Sequence, residues 1–190
     1  MITAPEVLET VRLKLRRPIL SDAEAISEYA TDPEVTRYLS WHTHRSAAEA
    51  GAFLEKCLES WGSSDDFCWG ITIKPTDRVV GTIDCRVQPP AATVGYVLAR
   101  SFWNRGYMTE AVQAVLAWAS QLPDVYTVGA FCDIENVAST RVMEKAGMSR
   151  EGLRQRYAVH PNISLEPRDC YGYAKVRGAA SQHPSAAVGR

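Results

Sequence analysis

The chain opens on a two-residue alternation. Val11, Leu13 and Leu15 are apolar while Arg12, Lys14 and Arg16 are charged, the period of a half-buried strand. Two segments then carry Ser-x-x-Glu ahead of an apolar run, Ser21 to Glu24 and Ser46 to Glu49. Each predicts a helix start in which the hydroxyl and the carboxylate satisfy one another's free N–H groups. In the second, Ala50, Phe53, Leu54, Cys57, Leu58 and Trp61 recur at helical spacing, with Glu49, Lys56, Glu59 and Ser60 largely off the stripe. Between the two, Asp32-Pro33-Glu34 places proline at a first helical position and predicts a short helix through Tyr38.

The period then returns to two. Phe67, Trp69, Ile71 and Ile73 alternate with Cys68, Gly70, Thr72 and Lys74, and a second run from Val79 to Val87 follows the turn residues Pro75, Thr76 and Asp77, as in a hairpin. Gln88-Pro89-Pro90 forces a further turn into a third strand, Thr93 to Ala99, whose internal Gly95 marks a bulge or a close backbone approach. A helix is predicted from Thr109 to Gln121 and a strand from Val125 to Phe131, which makes a βαβ unit with parallel pairing. Asn136 to Ala146 reads as another helix, closed by Gly147, and extended segments follow around Met148 to Val159 and Asp169 to Val176. Small and polar residues from Gly178 onward predict a flexible C-terminal tail over 178–190, leaving 1–177 as a single domain.

Composition narrows the function classes. At 190 residues and 46% apolar content the chain suits one domain with a sizeable core, and a formal net charge of -1 gives no general attraction to nucleic acid or membrane. The five cysteines are scattered without a CxxC pair, which disfavours a disulfide framework or a zinc site and fits a reducing cytoplasm. His42 and His44 lack partners at ligand spacing, so no metal is expected. No window approaches a membrane helix.

The stretch WNRGYMTEA, Trp103 to Ala111, carries candidate chemistry. A glycine-containing loop feeding a helix N-terminus presents free N–H groups that attract anions, phosphates above all, although a lone Gly106 before a helix is more often a plain turn. Asn136 can equally be a helix cap, and Asp84 a solvated or ion-paired carboxylate.

The order of strand VGYVLA, loop SFWNRGYMTEA, helix, strand, ENVASTRVMEKAGM and EGL resembles the GNAT superfamily of acetyl-CoA-dependent N-acetyltransferases. More narrowly it resembles the branch with the ribosomal-protein N-terminal (RimJ/RimL-like) acetyltransferases, over Arg12 to about Val176. The opening RLKLR, Asp22 to Glu24, Asp169 and Tyr173 also fit. The resemblance implies an α/β fold with a mixed, mostly antiparallel sheet, splayed in the middle and flanked by helices. It implies acetyl-CoA as cosubstrate, without a metal, and direct transfer to a primary amine.

By the same resemblance, the backbone of Tyr96, Val97, Leu98 and Ala99 would bond the pantetheine arm, on a strand that bulges. An N–H near Val97 or Leu98 would face the thioester oxygen, so Leu98 is counted with the catalytic groups. The phosphate loop overlays on Trp103 to Met108, with donors from Asn104, Arg105, Gly106, Tyr107, Met108, Thr109 and Glu110. Trp103 and Met108 depart from the general pattern, and Met108 is expected to crowd the pyrophosphate. Asn136 and Ser139 match a second cofactor motif, with Arg141 and Lys145 within reach of phosphate. The tyrosine that many relatives use to protonate the thiolate is replaced by Met143, so Ser139 or a water would do so. The glutamate that relatives often place before the GY of the strand is replaced by Thr93 and Val94. Asp84, a water chain, His42 and His44 remain as bases. The segments from Ser21 to Gly62 and from Arg154 to Arg168 would wall the acceptor cleft. The acceptor would be a protein or peptide N-terminus, with a small-molecule amine such as an antibiotic, or a noncatalytic acyl-CoA-binding module, as alternatives. A homodimer is left open.

Overall fold

The alternating segments join into one sheet whose central strands turn apolar side chains to the helices. The computed structural model describes residues 2–63 and 65–178. Its strands are β1 (Val7–Glu9), β2 (Leu13–Arg16), β3 (Asp66–Ile73), β4 (Val79–Gln88), β5 (Ala91–Leu98), β6 (Thr127–Asp133), β7 (Ser149–His160) and β8 (Ser164–Val176). The helices are α1 (Ala23–Ala30), α2 (Pro33–Thr36), α3 (Ala47–Ser63), α4 (Tyr107–Ala119) and α5 (Val137–Lys145). The sheet order is β1-β2-β3-β4-β5-β6-β8-β7. Every neighbouring pair is antiparallel except β5 and β6, which run parallel across the α4 crossover as the βαβ reading requires. This is the mixed α/β architecture with helices flanking an open sheet.

Period two separates the faces. Ile83, Cys85, Val94 and Leu98 pack with Val112, Val115 and Leu116 of α4, whereas Val79 and Val97 pack with Ile26, Tyr29 and Leu54 of α1 and α3. β2 leaves β3 at Gly70, so the edge of β3 is open at Cys68. Trp61 closes it, donating its indole N–H to the Cys68 carbonyl at 2.8 Å and meeting Phe67 and Trp69 edge-on.

Several boundaries shift for local reasons. Val11 is not in the first strand; it is 92% exposed in the bend before β2, and of the apolar members of its alternation only Leu13 and Leu15 are buried, while Arg16 on the charged side is buried too. The Ser21 to Glu24 capping box does not form. Asp22 instead accepts the Ile19 N–H at 2.9 Å and holds the Arg16 guanidinium in a buried bidentate pair at 2.7 and 2.8 Å. At α3, Glu49 reaches back to the Arg45 N–H at 3.2 Å. The helix after Pro33 ends at Thr36, two residues short of Tyr38, with Asp32 capping it through Glu34 N–H. α4 starts two residues before Thr109 and ends two before Gln121, and β8 begins at Ser164 rather than near Asp169. Gly95 is no bulge, because the β4–β5 register runs unbroken from Gly81/Leu98 to Gln88/Ala91. The tail expected after Gly178 lies outside the described residues.

Candidate active site

β5 parts from β6 halfway along its length. The parallel ladder joins Ala91, Ala92 and Thr93 to Thr127, Val128 and Gly129 and stops there. Beyond Thr93, β5 stays with β4 to Leu98 while β6 stays with β8 to Asp133, so a wedge opens between them. Strand residues alternate the side to which their N–H and C=O point. The Ala99 N–H donates to the Val80 carbonyl at 2.8 Å, which aims Ala99, Val97 and Gly95 at β4 and leaves Tyr96 and Leu98 aimed into the wedge. The backbone of Val97 is therefore committed to β4, and that of Ala99 to the Val80 carbonyl and, through its own carbonyl, to the Phe102 N–H at 3.0 Å. The Leu98 carbonyl accepts the Trp103 indole N–H at 2.7 Å, so the free groups along this edge are the Tyr96 amide pair and the Leu98 N–H.

Trp103 also begins the loop into α4. Asn104 (φ 59°) and Gly106 (φ 77°) both take the left-handed conformation, and Gly106 caps the helix. A first helical turn leaves the N–H groups of the cap and the next three residues without helical partners. Here these belong to Gly106, Tyr107, Met108 and Thr109. The Glu110 N–H already donates to the Gly106 carbonyl at 3.1 Å, so Glu110 adds no donor to the loop. Its carboxylate turns the other way and accepts from Thr10 Oγ1 at 2.6 Å, the Arg12 N–H at 2.9 Å and Arg12 Nε at 2.7 Å. Burial opposes ionisation there, yet these bonds hold its carboxyl below the ordinary range. Arg12 further donates to the Arg105 carbonyl at 2.9 Å and lies over the Tyr107 ring at 4.6 Å, fixing the loop from below. Met108 does not crowd the loop mouth; α4 turns its side chain into the core, where it is 6% exposed.

α5 closes the wedge from the far side. Asn136 is its cap, accepting from the Ser139 N–H at 3.1 Å. Ser139 Oγ lies 2.7 Å from the Tyr96 hydroxyl, a bond that spans the wedge. Burial raises the Tyr96 phenol, with the Ser139 bond opposing, so it keeps its proton at neutral pH. Met143 is fully buried, while Arg141 and Lys145 are exposed.

The opposite face of β5 forms the floor of a cleft of about 120 Å³ walled by α1, α3 and the segment between α2 and α3. Asp84 stands in it, directly across from Gly95, where any Cβ would sit 2.8 Å from Asp84 Oδ1. Burial, then the neighbouring Asp66 carboxylate, push Asp84 up to about 6 against the pull of Arg86. Trp41 and His44 are on the wall, and burial lowers the His44 imidazole against Glu49. His42 is exposed and does not line the cleft.

Asn162, at the tip of the β7–β8 hairpin, holds that wall. Its amide donates to the Thr36 and Trp41 carbonyls at 2.7 and 2.9 Å and accepts from the Thr43 N–H at 3.0 Å. The structure thus gathers Asp84, Tyr96, Leu98 and Ser139 around one strand. Sequence reasoning missed Arg12, the Tyr96 hydroxyl and Asn162. The alternation in VGYVL placed Tyr96 opposite Val97, which was its only signal. No group of three or more His, Cys, Asp or Glu side chains among the described residues could hold a metal ion.

The profile of the acetyltransferase (GNAT) domain family matches residues 12–149. The N-acetyltransferase p20 of Bacillus licheniformis is 30% identical over 157 residues, covering 80% of this chain and 87% of that protein. A GNAT-family acetyltransferase of Bacillus anthracis superposes with a TM-score of 0.79 at 27% identity, over 91% of this chain and 99% of the other. RimL, the ribosomal L7/L12 alpha-N-protein acetyltransferase solved with coenzyme A, shares the fold with a TM-score of 0.80 at 20% identity, over 92% of this chain and 100% of that one.

Proposed function

The chain belongs to the GNAT acetyltransferase family, and from that premise we propose that it acetylates a protein or peptide α-amino group at the cleft floored by Asp84 and β5. The family supplies the coarser statement, an acetyl-CoA-dependent N-acetyltransferase. The finer one is carried by a single observation: β5 separates the wedge from a cleft that holds a half-buried carboxylate, so two substrates can meet across one strand. That RimL acts on a ribosomal protein's α-amino group supports the choice of acceptor.

The wedge fits the cosubstrate. Its open β5 edge offers the Tyr96 amide pair and the Leu98 N–H to an extended amide-bearing arm, and the first turn of α4 offers N–H groups at the positive end of a helix dipole to a pyrophosphate. Asn104 and Arg105 shape that loop, and Arg141 and Lys145 on α5 lie exposed for phosphate. When bound, acetyl-CoA supplies the acetyl group as an activated thioester.

The chain's own groups then have distinct tasks. Asp84, ionised at neutral pH with its pKa about 6, takes a proton from the incoming ammonium. The Leu98 N–H faces the position where negative charge grows on the acyl oxygen; a fixed donor of this kind contributes roughly 3 to 4 kcal/mol in other acyl transfers. Ser139, its hydroxyl oriented by the Tyr96 hydroxyl 2.7 Å away, donates a proton to the departing sulfur and regains one from solvent once the products leave.

Thermal unfolding with and without acetyl-CoA tests the reading. At about 100 times its dissociation constant a ligand stabilises by roughly 2.7 kcal/mol. The wild type should show that shift and a folded Gly106→Trp variant should not; equal shifts in both would remove the cosubstrate from this loop.

A further inference from the structure

The cleft walls carry information about the acceptor beyond its amine. Tyr29, Trp41 and Phe53 supply aromatic faces, Asp84 supplies the one carboxylate, and no lysine or arginine is among the described residues that line it. Its other polar groups lack charge at neutral pH. His44 is held neutral by burial, and the Tyr29 phenol is 3% exposed with its proton retained. Around Asp84 the charged neighbours are Asp66 on β3 and Arg86 on β4, and the Arg86 guanidinium is bound to Asp66 at 2.8 and 3.2 Å.

One buried atom in the walls, His44 Nδ1, also has no hydrogen-bond partner, while the Tyr29 hydroxyl has Thr82 beside it. Buried polar atoms are normally satisfied, and an unsatisfied ring nitrogen lining a cleft calls for a polar atom from a ligand. Asn162 pins the Trp41 and Thr43 backbone, so these walls are set before a ligand arrives.

We infer that the acceptor is a cationic amine with an uncharged body, one that bears no carboxylate or phosphate beside the amine, and that the cleft therefore rejects free amino acids; this rests on the acetyl-acceptor reading of the cleft. An ammonium is drawn both to Asp84 and to the aromatic faces. A carboxylate carried in beside it meets Asp84 with no countercharge, and like charges in a partly buried site repel strongly. A neutral carbonyl or hydroxyl, by contrast, brings no such repulsion, and a hydroxyl or amide N–H can satisfy His44 Nδ1. A peptide N-terminus has this chemistry: an amine followed by an amide.

The test compares 2-phenylethylamine, phenylalaninamide and phenylalanine, which share one ring and differ in what stands beside the amine. The readouts are acceptor-dependent release of coenzyme A from acetyl-CoA, and the melting temperature of the coenzyme A-loaded protein with each compound. The expected result is kcat/KM at least tenfold higher for the amine and the amide than for phenylalanine, with stabilisation by the first two only. Phenylalanine turned over or bound as well as phenylethylamine overturns the inference. So does stabilisation by coenzyme A with neither turnover nor any shift from the amines, which leaves family membership untouched. A protein whose melting does not respond to acetyl-CoA at all overturns the underlying reading instead.

Discussion

Replacing Asp84 by asparagine should make the protein more stable and less active, and both changes follow from one half-buried carboxyl. Burial and Asp66 raise its pKa from 3.8 to about 6, a difference of roughly 2 units and so about 3 kcal/mol at 1.36 kcal/mol per unit. A carboxyl whose folded pKa lies above its unfolded value favours the native state most when protonated. Its contribution is complete below about pH 4 and is lost as pH rises through about 6. At pH 7.5 the wild type has lost it, whereas an amide of the same shape carries no charge to bury.

The asparagine variant should therefore exceed the wild type by up to about 3 kcal/mol at pH 7.5, or roughly 6 to 12 °C in Tm for a chain of this size, and match it near pH 4. Asp77, Glu110 and Asp133, whose carboxyls are held low by their partners, oppose this trend in each protein alone. They act equally in both and cancel in the difference. Paired melts from pH 4 to 8 give the stability curve. Activity should move the other way: wild-type kcat/KM rises with pH through about 6 and levels off, while the variant loses on the order of 100-fold or more on the plateau. A variant less stable than wild type at pH 7.5, or one that keeps full activity, refutes the assignment of this carboxyl.

Two further outcomes concern the neighbours of β5. Ser139→Ala and Tyr96→Phe should each lower kcat, the serine change by on the order of 100-fold, with little change in the KM for acetyl-CoA, and the double variant should be no slower than Ser139→Ala because the two hydroxyls are bonded in series. Steady-state rates over a range of both substrates check this. Asn162→Ala leaves the Thr36 and Trp41 carbonyls without their amide donor, costs about 1 to 3 kcal/mol in a melt, and should raise the KM for the acceptor more than that for acetyl-CoA.

How far the sequence disclosed this molecule depends on the distance over which each feature is decided. The alternation at Phe67 to Ile73 and the crossover from β5 to β6 rest on neighbours in the chain, and both stand in the structure. The same rule misled at Val11, because alternation does not register where hydrogen bonding to a partner strand ends. Met108 was misplaced by a shift of two residues in the helix start: a left-handed Gly106 begins the turn early and rotates that side chain into the core. Glu110 binds residues 98 and 100 positions away, and Asn162 those 119 to 126 away, so no local pattern could reveal either. The rise in the Asp84 pKa comes from burial, which exists only once α1 and α3 cover the sheet.

Gly95 shows how the two sides of the site constrain one another. Its sequence position invited either a bulge or a close approach, and the unbroken register with β4 removes the first. The φ angle of Gly95 is not positive, so backbone freedom does not explain it either. What a side chain would meet is the Asp84 carboxylate, at 2.8 and 3.1 Å from its Cβ. Because side chains on a strand alternate faces, the residue between Val94 and Tyr96 must point at the cleft whenever Tyr96 reaches across the wedge to Ser139. The bare position at Gly95 thus keeps room for a carboxylate on one face while the next residue anchors a hydroxyl pair on the other. Moving the register of β5 by one residue would exchange these roles and place Tyr96 against Asp84. Eight paired positions between β4 and β5 hold that register in place.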